Sequence, residues 1–556
     1  MLKRGIFIGF VFLFFLVLAE GVSAATYYVS LTGSDSTGDG SSGTPWRTIT
    51  YAVNHIPAAG GDTILVRDGV YNESSYVSRA FNNWVTIKAE NRYKVKLTNI
   101  QNGVGGVALT IGAIPVASVK VIVEGFEISN DYGAASCSAR INFLALIQNV
   151  SDVVLRDNIF HGNNAPNACN EILKVNRAGG GCAGNITITG NVFYDPAAIS
   201  GSDLIDALFI CDINITGNIF FSRSAPSSQS FITIKRELPP GDPDLPPVVR
   251  NPRFVVNKNV FLNWNGAGDQ AFIQFGEDQL AQDMITNSLI ENNLMIGNSP
   301  ASMAAPIQLK GVKNITVRAN TIVGNLPSGA YFRVGLEANN LDVQNIYIRN
   351  NIFDDPTGTM PILMNTFDSS ANGAVILPSF ILNNNLYWNN GNSLPTGGSM
   401  SYNDDFNGIT TNPGITGDQS SLVLPVWDRA NSQFQSGSTT IQQEFERLVN
   451  TYGAISLNSL ARDSADPTNM PAEDILGNTR DAGPDIGAFE YVSGASTPSA
   501  DVNGDGLVNV IDLALTTYWQ GKNNQTSGDW SFFQHLDQDG DGRVGWSDVL
   551  RIIAGI

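Results

Sequence analysis

Basic residues are scarce in this chain: 32 Lys and Arg stand against 51 Asp and Glu, a formal net charge of −19 over 556 residues. That shortage excludes a nucleic-acid polymer as partner, because phosphate binding needs a basic surface. It leaves divalent cations open. Histidine is scarcer still, and His55 in an N-terminal cap region, His161 in a loop and His535 near the C-terminus supply no catalytic triad. Charged residues make up only 15% of the chain, whereas Asn, Gly, Ser and Thr are plentiful, a balance that suits strands and turns better than helices. Long apolar runs are almost absent. The one exception, Ile6–Leu18, follows Lys3 and Arg4 and precedes the small residues Val22-Ser23-Ala24-Ala25. It reads as a secretory signal peptide over residues 1–25. It is shorter than the roughly 18–20 residues a membrane span needs. The mature chain is therefore expected to be secreted, soluble and without a membrane span.

What the chain has instead is one phrase, repeated: a short alternating strand, an Asn, then two or three apolar residues. The shared residues are Asn158, Asn191, Asn218, Asn259, Asn293, Asn320, Asn351 and Asn385, with Gly125 taking that place in an earlier copy, VIVEGFEIS. The interval is 27 residues from Asn191 to Asn218 and 41 from Asn218 to Asn259, the variation a solenoid with loop insertions shows. A single unit cannot bury its apolar positions alone, but stacked units share one core. Asn suits the bend after each strand because it tolerates left-handed backbone, and its amide can bond the equivalent Asn one rung away.

This pattern, over about residues 26–390, resembles the pectate-lyase-like superfamily of right-handed parallel β-helices, and the expected fold class is an all-β solenoid of that kind. In that family the Asn bend lies between the second and third strands of each coil. The first strands then fall at LALIQ, ILKVN, LIDAL, FITIK, FIQFG, PIQLK and YFRVG. Near the start, Trp46, Ile49, Ala52, Val53 and Ile56 fall at helical spacing, as a short cap over the open end of the coil would require. DILGNTRDAGPDIGAFEY, residues 474–491, resembles the terminal segment of many surface β-helix proteins and is read as closing the domain, which is expected to run from 26 to 492. The stretch between 390 and 474 is loop-rich and gives no assignment.

The four cysteines fit the same repeat. Cys137 and Cys169 precede Asn158 and Asn191 by nearly equal intervals, and Cys182 and Cys211 do the same before Asn191 and Asn218. Each pair should thus sit on adjacent rungs, roughly 4.8 Å apart, within disulfide range. The expected bridges are Cys137–Cys169 and Cys182–Cys211, with stacked free thiols as the alternative.

After a small, polar linker at 493–500, two loops follow at the end of the chain. Oxygen ligands fall at Asp501, Asn503, Asp505 and Asp512 in the first and at Asp537, Asp539, Asp541 and Asp548 in the second. Gly506 and Gly542 supply the sharp turn, Leu507 and Arg543 a backbone carbonyl, and Asn509 a further ligand in the first loop. This is the calcium-loop pattern of the EF-hand kind, with Asp rather than Glu in the last place. The arrangement over 501–556 resembles a type I dockerin. That resemblance implies two bound Ca²⁺ ions and a cohesin-type partner selected by Val510, Ile511, Trp546 and Ser547. The two halves differ at these positions, which puts symmetric dual binding in doubt.

Fold does not settle chemistry. In enzymes of the β-helix superfamily the groove crosses the first sheet, so its outward positions are the candidates. One column reads Leu146, Lys174, Asp206, Thr233, Gln274, Gln308 and Arg333, and the next reads Gln148, Asn176, Leu208, Lys235, Gly276, Lys310 and Gly335. Lys174, Asp206, Lys235 and Arg333 are the candidate catalytic residues, and Asn176, Gln274, Gln308 and Lys310 the candidate substrate contacts. The loop ELPPGDPDLPP, residues 237–247, is placed to wall such a groove. Uronate β-elimination would need a base and a positive charge, often beside a further Ca²⁺ on the coil. Hydrolysis would need two facing carboxylates, for which Asp206 with Glu171 or Glu237 is the available set. Two classes of function follow: a dockerin-tethered enzyme acting on an acidic polysaccharide, or a non-catalytic carbohydrate-binding or adhesin-like scaffold.

Overall fold

Each repeated phrase folds into one turn of a coil, and the turns stack through parallel pairing. The computed structural model describes residues 24–132, 142–166, 170–176, 184–195, 203–223, 230–235, 253–266, 270–277, 285–415, 417–491, 502, 510–522, 536 and 543–555. The third strands of the coils form a 12-stranded sheet. The first and second strands merge into one 20-stranded sheet, because Leu109–Glu124 and Ala145–Arg156 each run through the corner between them. Inward residues at every second position, such as Ile147, Val175, Ala207, Ile234, Phe275, Leu309 and Val334, make one continuous apolar core. Aromatic rings stack within it along the third sheet, Phe160 on Phe193, Phe193 on Phe220 and Phe220 on Phe261, at 4.8–5.3 Å between centroids.

The asparagines form the ladder that the repeat implies. From Asn158 to Asn351, each backbone N–H and side-chain Nδ2 donates to Oδ1 of the next Asn at 2.9–3.1 Å. The last rung ends on a carboxylate: Asn385 N and Nδ2 donate to Asp405 Oδ2 at 3.1 and 2.7 Å. All eight asparagines are buried. One expectation is corrected here. The left-handed residue is not the ladder Asn but the one before it: Asp157, Gly190, Gly217, Lys258, Asn292, Ala319, Asn350 and Asn384 all have positive φ. Gly125 belongs to that preceding position, and Phe126, whose N–H donates to Asn158 Oδ1, stands in the ladder's place.

The N-terminal cap is a helix at Ile49–His55, started by the Thr48 side chain, which accepts from Tyr51 N. It buries Ile49, Ala52 and Val53 against the first strands, Thr26–Val29 and Thr63–Val66.

The stretch the sequence left unassigned turns out to cover the third sheet. Arg429 donates to the carbonyls of Tyr93 and Lys94, at the N-terminal rungs. The amphipathic helix Ile441–Tyr452 then packs Ile441, Phe445, Leu448 and Val449 over Ile159, Val192, Ile219, Val260 and Leu294. The segment 474–491 packs against the same sheet. Arg480 pairs with Glu490 at 2.8 Å and reaches Asn292 at 3.1 Å. Gly487 has φ +98 and donates to Asn350 O, and a Cβ there would meet Ile352 Cδ1 at 2.6 Å, so only glycine lies flat on the sheet. His161, expected in a loop, lies in the strand Ile159–Asn163, buried and 3.2 Å from Glu127.

Candidate functional site

The first strands fall where the Asn bend placed them, and the pairing register reproduces the outward column. Leu146 pairs with Lys174, Lys174 with Asp206, Asp206 with Thr233, Thr233 with Gln274, Gln274 with Gln308, and Gln308 with Arg333. The second column holds at Gln148–Asn176, Leu208–Lys235 and Lys310–Gly335.

Three lysine–carboxylate pairs cross this face. Lys174 is bonded to Asp206 on the next rung. Lys235 reaches Glu277 at 2.5 Å, and Lys310 reaches Glu337 at 2.8 Å. The lysines therefore recur on alternate rungs, roughly 10 Å apart along the coil axis. Burial opposes the charge on Lys235, but Asp206, Asp203 and Glu277 outweigh it and hold the ammonium above the ordinary lysine range.

Asp203 was not singled out by the sequence, since it precedes its strand by two residues. It is buried beside Asp206 and Glu171. Burial pushes its carboxyl well above the usual carboxylate range, and the charges of Asp206 and Glu171 push the same way against Lys235 and a hydrogen bond from Thr233. One oxygen of Asp203 and one of Asp206 are buried without a hydrogen-bond partner. The face is also less open than a groove: Asp206, Thr233 and Gln274 are each 3% exposed and Gln308 0%.

Arg333 shares the column but stands four rungs from Asp206, roughly 19 Å away, with its guanidinium over the Phe367 ring at 4.6 Å. It does not join the Lys174–Asp206 cluster. Asn176 accepts from Gln148 Nε2 at 3.0 Å, and Gln274 Nε2 donates to Gly276 O at 3.3 Å. Glu237 and the wall loop 237–247 lie outside the described residues. Among the described residues no group of three or more His, Cys, Asp or Glu is arranged to hold a metal, so a further calcium site on the coil finds no support there. Of the cysteines, Cys211 is described and is disulfide-bonded, whereas Cys137, Cys169 and Cys182 lie outside the described residues.

At the C-terminus, helices Val510–Tyr518 and Trp546–Gly555 each begin beside one of the two acidic loops. Asp512 and Asp548, expected from the sequence as the last ligand of each loop, are fully buried in the first turns of these helices. Arg543 is described. Asp501, Asn503, Asp505, Leu507, Asn509, Asp537, Asp539 and Asp541 lie outside the described residues. Val502, Leu536, Val544 and Ile552 form the small core. Trp546 and Leu550, one turn apart, are 66% and 61% exposed, and Tyr518 is 77% exposed.

These residues fall within a recognised family. Residues 499–556 are a type I dockerin domain. Such domains bind calcium and dock on cohesins. Among solved structures, the chain is similar to pectate lyase Pel9A, at 15% identity and a TM-score of 0.44, over 85% of this chain and 98% of that one. It is also similar to XylC in complex with xylose, at 11% identity and a TM-score of 0.43, over 84% and 98%. An alginate lyase from Paenibacillus sp. str. FPU-7 aligns at 14% identity and a TM-score of 0.33, over 65% and 97%. No curated protein matches the chain. Among the described residues no helix is long and apolar enough to cross a membrane.

Proposed function

We propose that this chain is secreted, that its dockerin holds two Ca²⁺ ions and tethers it to a cohesin, and that its coil binds an acidic polysaccharide along the first sheet and cleaves it there. The observation that carries this reading is the cluster on the first sheet in which Asp203 is buried beside the Lys174-paired Asp206, each with one oxygen lacking a hydrogen-bond partner. Two carboxyls side by side, one ion-paired and the other pushed by burial toward its protonated form, are the kind of pair that glycoside hydrolysis uses as acceptor and donor. The lysines suit carboxylate binding better than base catalysis. Lys235 is held protonated, and its pairing with Glu277 fixes the ammonium in place. Hydrolysis therefore fits this pair of carboxyls better than a β-elimination begun by lysine, since Lys235 is held protonated.

The two halves of the dockerin differ in sequence at the recognition positions, which favours an asymmetric contact. The residues this reading assigns to the cohesin are Val510, Ile511, Trp546 and Ser547; the side chains of Val510 and Ile511 lie outside the described residues, and Trp546 forms an exposed apolar stripe with Leu550 on the second helix.

Burial of Asp203 and Asp206 favours a second reading, in which the face binds sugar without cleaving it. Incubation with pectate, alginate and xylan separates the two. Hydrolysis releases reducing ends without unsaturated uronates, and Asp203→Asn and Asp206→Asn each abolish it. Binding of a polymer with no turnover of any would leave the scaffold reading standing.

A further inference from the structure

A second set of corners runs along the coil, between the first and second strands, and it too is built from left-handed polar residues. Asp152, Asn185, Asn287, Asn314 and Asn345 all have positive φ. Their side chains bridge rungs: Asn185 Nδ2 to Asp152, Asn345 Nδ2 to Asn314 Oδ1 at 2.8 Å, and Asn314 Nδ2 to Asn287 Oδ1 at 3.2 Å. The register puts two rungs between Asn185 and Asn287, occupied by Asp212 and Arg253. Neither is left-handed. Both begin extended strands, Asp212–Thr216 and Arg253–Asn257. The corner ladder is thus broken at two rungs, where charged residues replace the asparagines.

A cavity of about 600 Å³ opens at that break, lined in part by Asn185, Asp212, Asn214, Arg253, Asn257 and Glu291. This is within the range of small-molecule sites, roughly 300–1,000 Å³. Its charges are arranged unevenly. Glu291 is neutralised by Arg318 at 2.7 Å. Asp212 spends Oδ1 on the backbone N–H of Asn185 at 2.6 Å. Arg253, directly across from Asp212, is exposed and makes no ion pair among the described residues. In a chain with 51 acidic and 32 basic side chains, a guanidinium beside a cavity that pairs with no carboxylate among the described residues is out of the ordinary. Asn214 and Asn257, which line the cavity, each have a buried side-chain oxygen without a hydrogen-bond partner, so polar capacity is left over in its wall.

We infer that this cavity is a second saccharide site, on the second-strand face, that takes a uronate-bearing oligosaccharide. Arg253 matches a sugar carboxylate in the forked geometry that guanidinium favours. Asp212 and the amides of Asn214 and Asn257 match ring hydroxyls. The site is independent of the first-sheet cluster, shares no residue with it, and stands or falls separately.

The test is calorimetric titration of the full chain with trigalacturonate and with neutral galactotriose. Trigalacturonate should bind, and Arg253→Ala and Asp212→Asn should each weaken one class of sites by roughly tenfold or more. Lys174→Ala with Lys235→Ala should leave that class unchanged. Asn214→Asp, which keeps side-chain size but adds a negative charge, should weaken it too, and unchanged melting temperatures show that the variants fold. The inference is overturned if the parent binds no trigalacturonate, if galactotriose binds as tightly, or if Arg253→Ala and Asp212→Asn bind like the parent.

Discussion

At the second corner, eight buried asparagines hand one hydrogen-bond pattern from rung to rung and finish on Asp405, so that each buried amide is satisfied by its neighbour. At the first corner and on the first sheet the same coil behaves differently. The corner ladder is interrupted at Asp212 and Arg253, and Asp203 and Asp206 each keep one buried oxygen without a partner. An unsatisfied buried polar atom costs about 1–3 kcal/mol. A chain that closes one ladder so completely and leaves the other face incomplete separates the part that holds the fold from the parts open to ligands. The dockerin is the extreme case, since Asp512 and Asp548 are fully buried at the start of its two helices, next to strongly acidic stretches of sequence.

The largest effect should therefore come from withdrawing the cation. Chelation of Ca²⁺ is expected to unfold the dockerin helices Val510–Tyr518 and Trp546–Gly555 while leaving the coil folded. Circular dichroism before and after chelation checks this: helicity is lost and the strand signal stays. Equal loss of both signals would erase the contrast between the two regions.

Within the coil, Asn259→Ala removes the acceptor for Asn218 N and Nδ2 and the donor to the carbonyls of Ile215 and Asn257. A loss of about 3–5 kcal/mol is expected in denaturant unfolding. Asn314→Gly, at the partly exposed first corner, keeps the positive φ accessible and should cost only about 1 kcal/mol. Similar losses at the two positions would mean that the corners do the same work.

Asp354, on the covered third sheet, sharpens the comparison through pH. Burial, and then the charge of neighbouring Asp355, raise its carboxyl from 3.8 to about 7. A group that is neutral in the fold and ionised when unfolded destabilises the native state progressively between about pH 4 and pH 7. The cost is full above that window and absent below it, with a ceiling of about 4 kcal/mol. Asp354→Asn is expected to raise the melting temperature at pH 8 and to leave it unchanged at pH 3.5. A gain at both pH values would show that packing, not charge, is responsible.

A further prediction concerns the cross-links. Non-reduced peptide mapping is expected to show Cys137–Cys169 and Cys182–Cys211, and reduction should lower coil stability by about 2–4 kcal/mol per bridge. Any other pairing would break the rung alignment from which the bridges follow.

The periodic features were legible in sequence because they repeat. The Asn phrase placed both the ladder and the first-strand register, and the outward column from Leu146 to Arg333 came out residue for residue. Paired acidic loops, each with Gly506 or Gly542 at the sharp turn, marked the dockerin. The left-handed residue was misplaced by one because Asn is common at both neighbouring positions, as at Asn292-Asn293, Asn350-Asn351 and Asn384-Asn385. The features that escaped have no period. Asp203 lies outside its strand, and its role comes from Asp206 and Glu171 meeting it across rungs. The cover over the third sheet depends on contacts such as Arg429 with Tyr93, 336 residues apart. The gap in the first-corner ladder can be read only once the register assigns Asp212 and Arg253 to places that Asn holds elsewhere.

The central claim is that the first sheet holds an acidic polysaccharide through lysines fixed on alternate rungs. Titration of trigalacturonate into the parent and into a Lys174→Ala/Lys235→Ala variant, in the Arg253→Ala background so that the second site is silent, tests it most directly. The account predicts binding by the parent of that pair and a loss of roughly tenfold or more in the variant. Equal affinity in the two, or no binding by either, would contradict it.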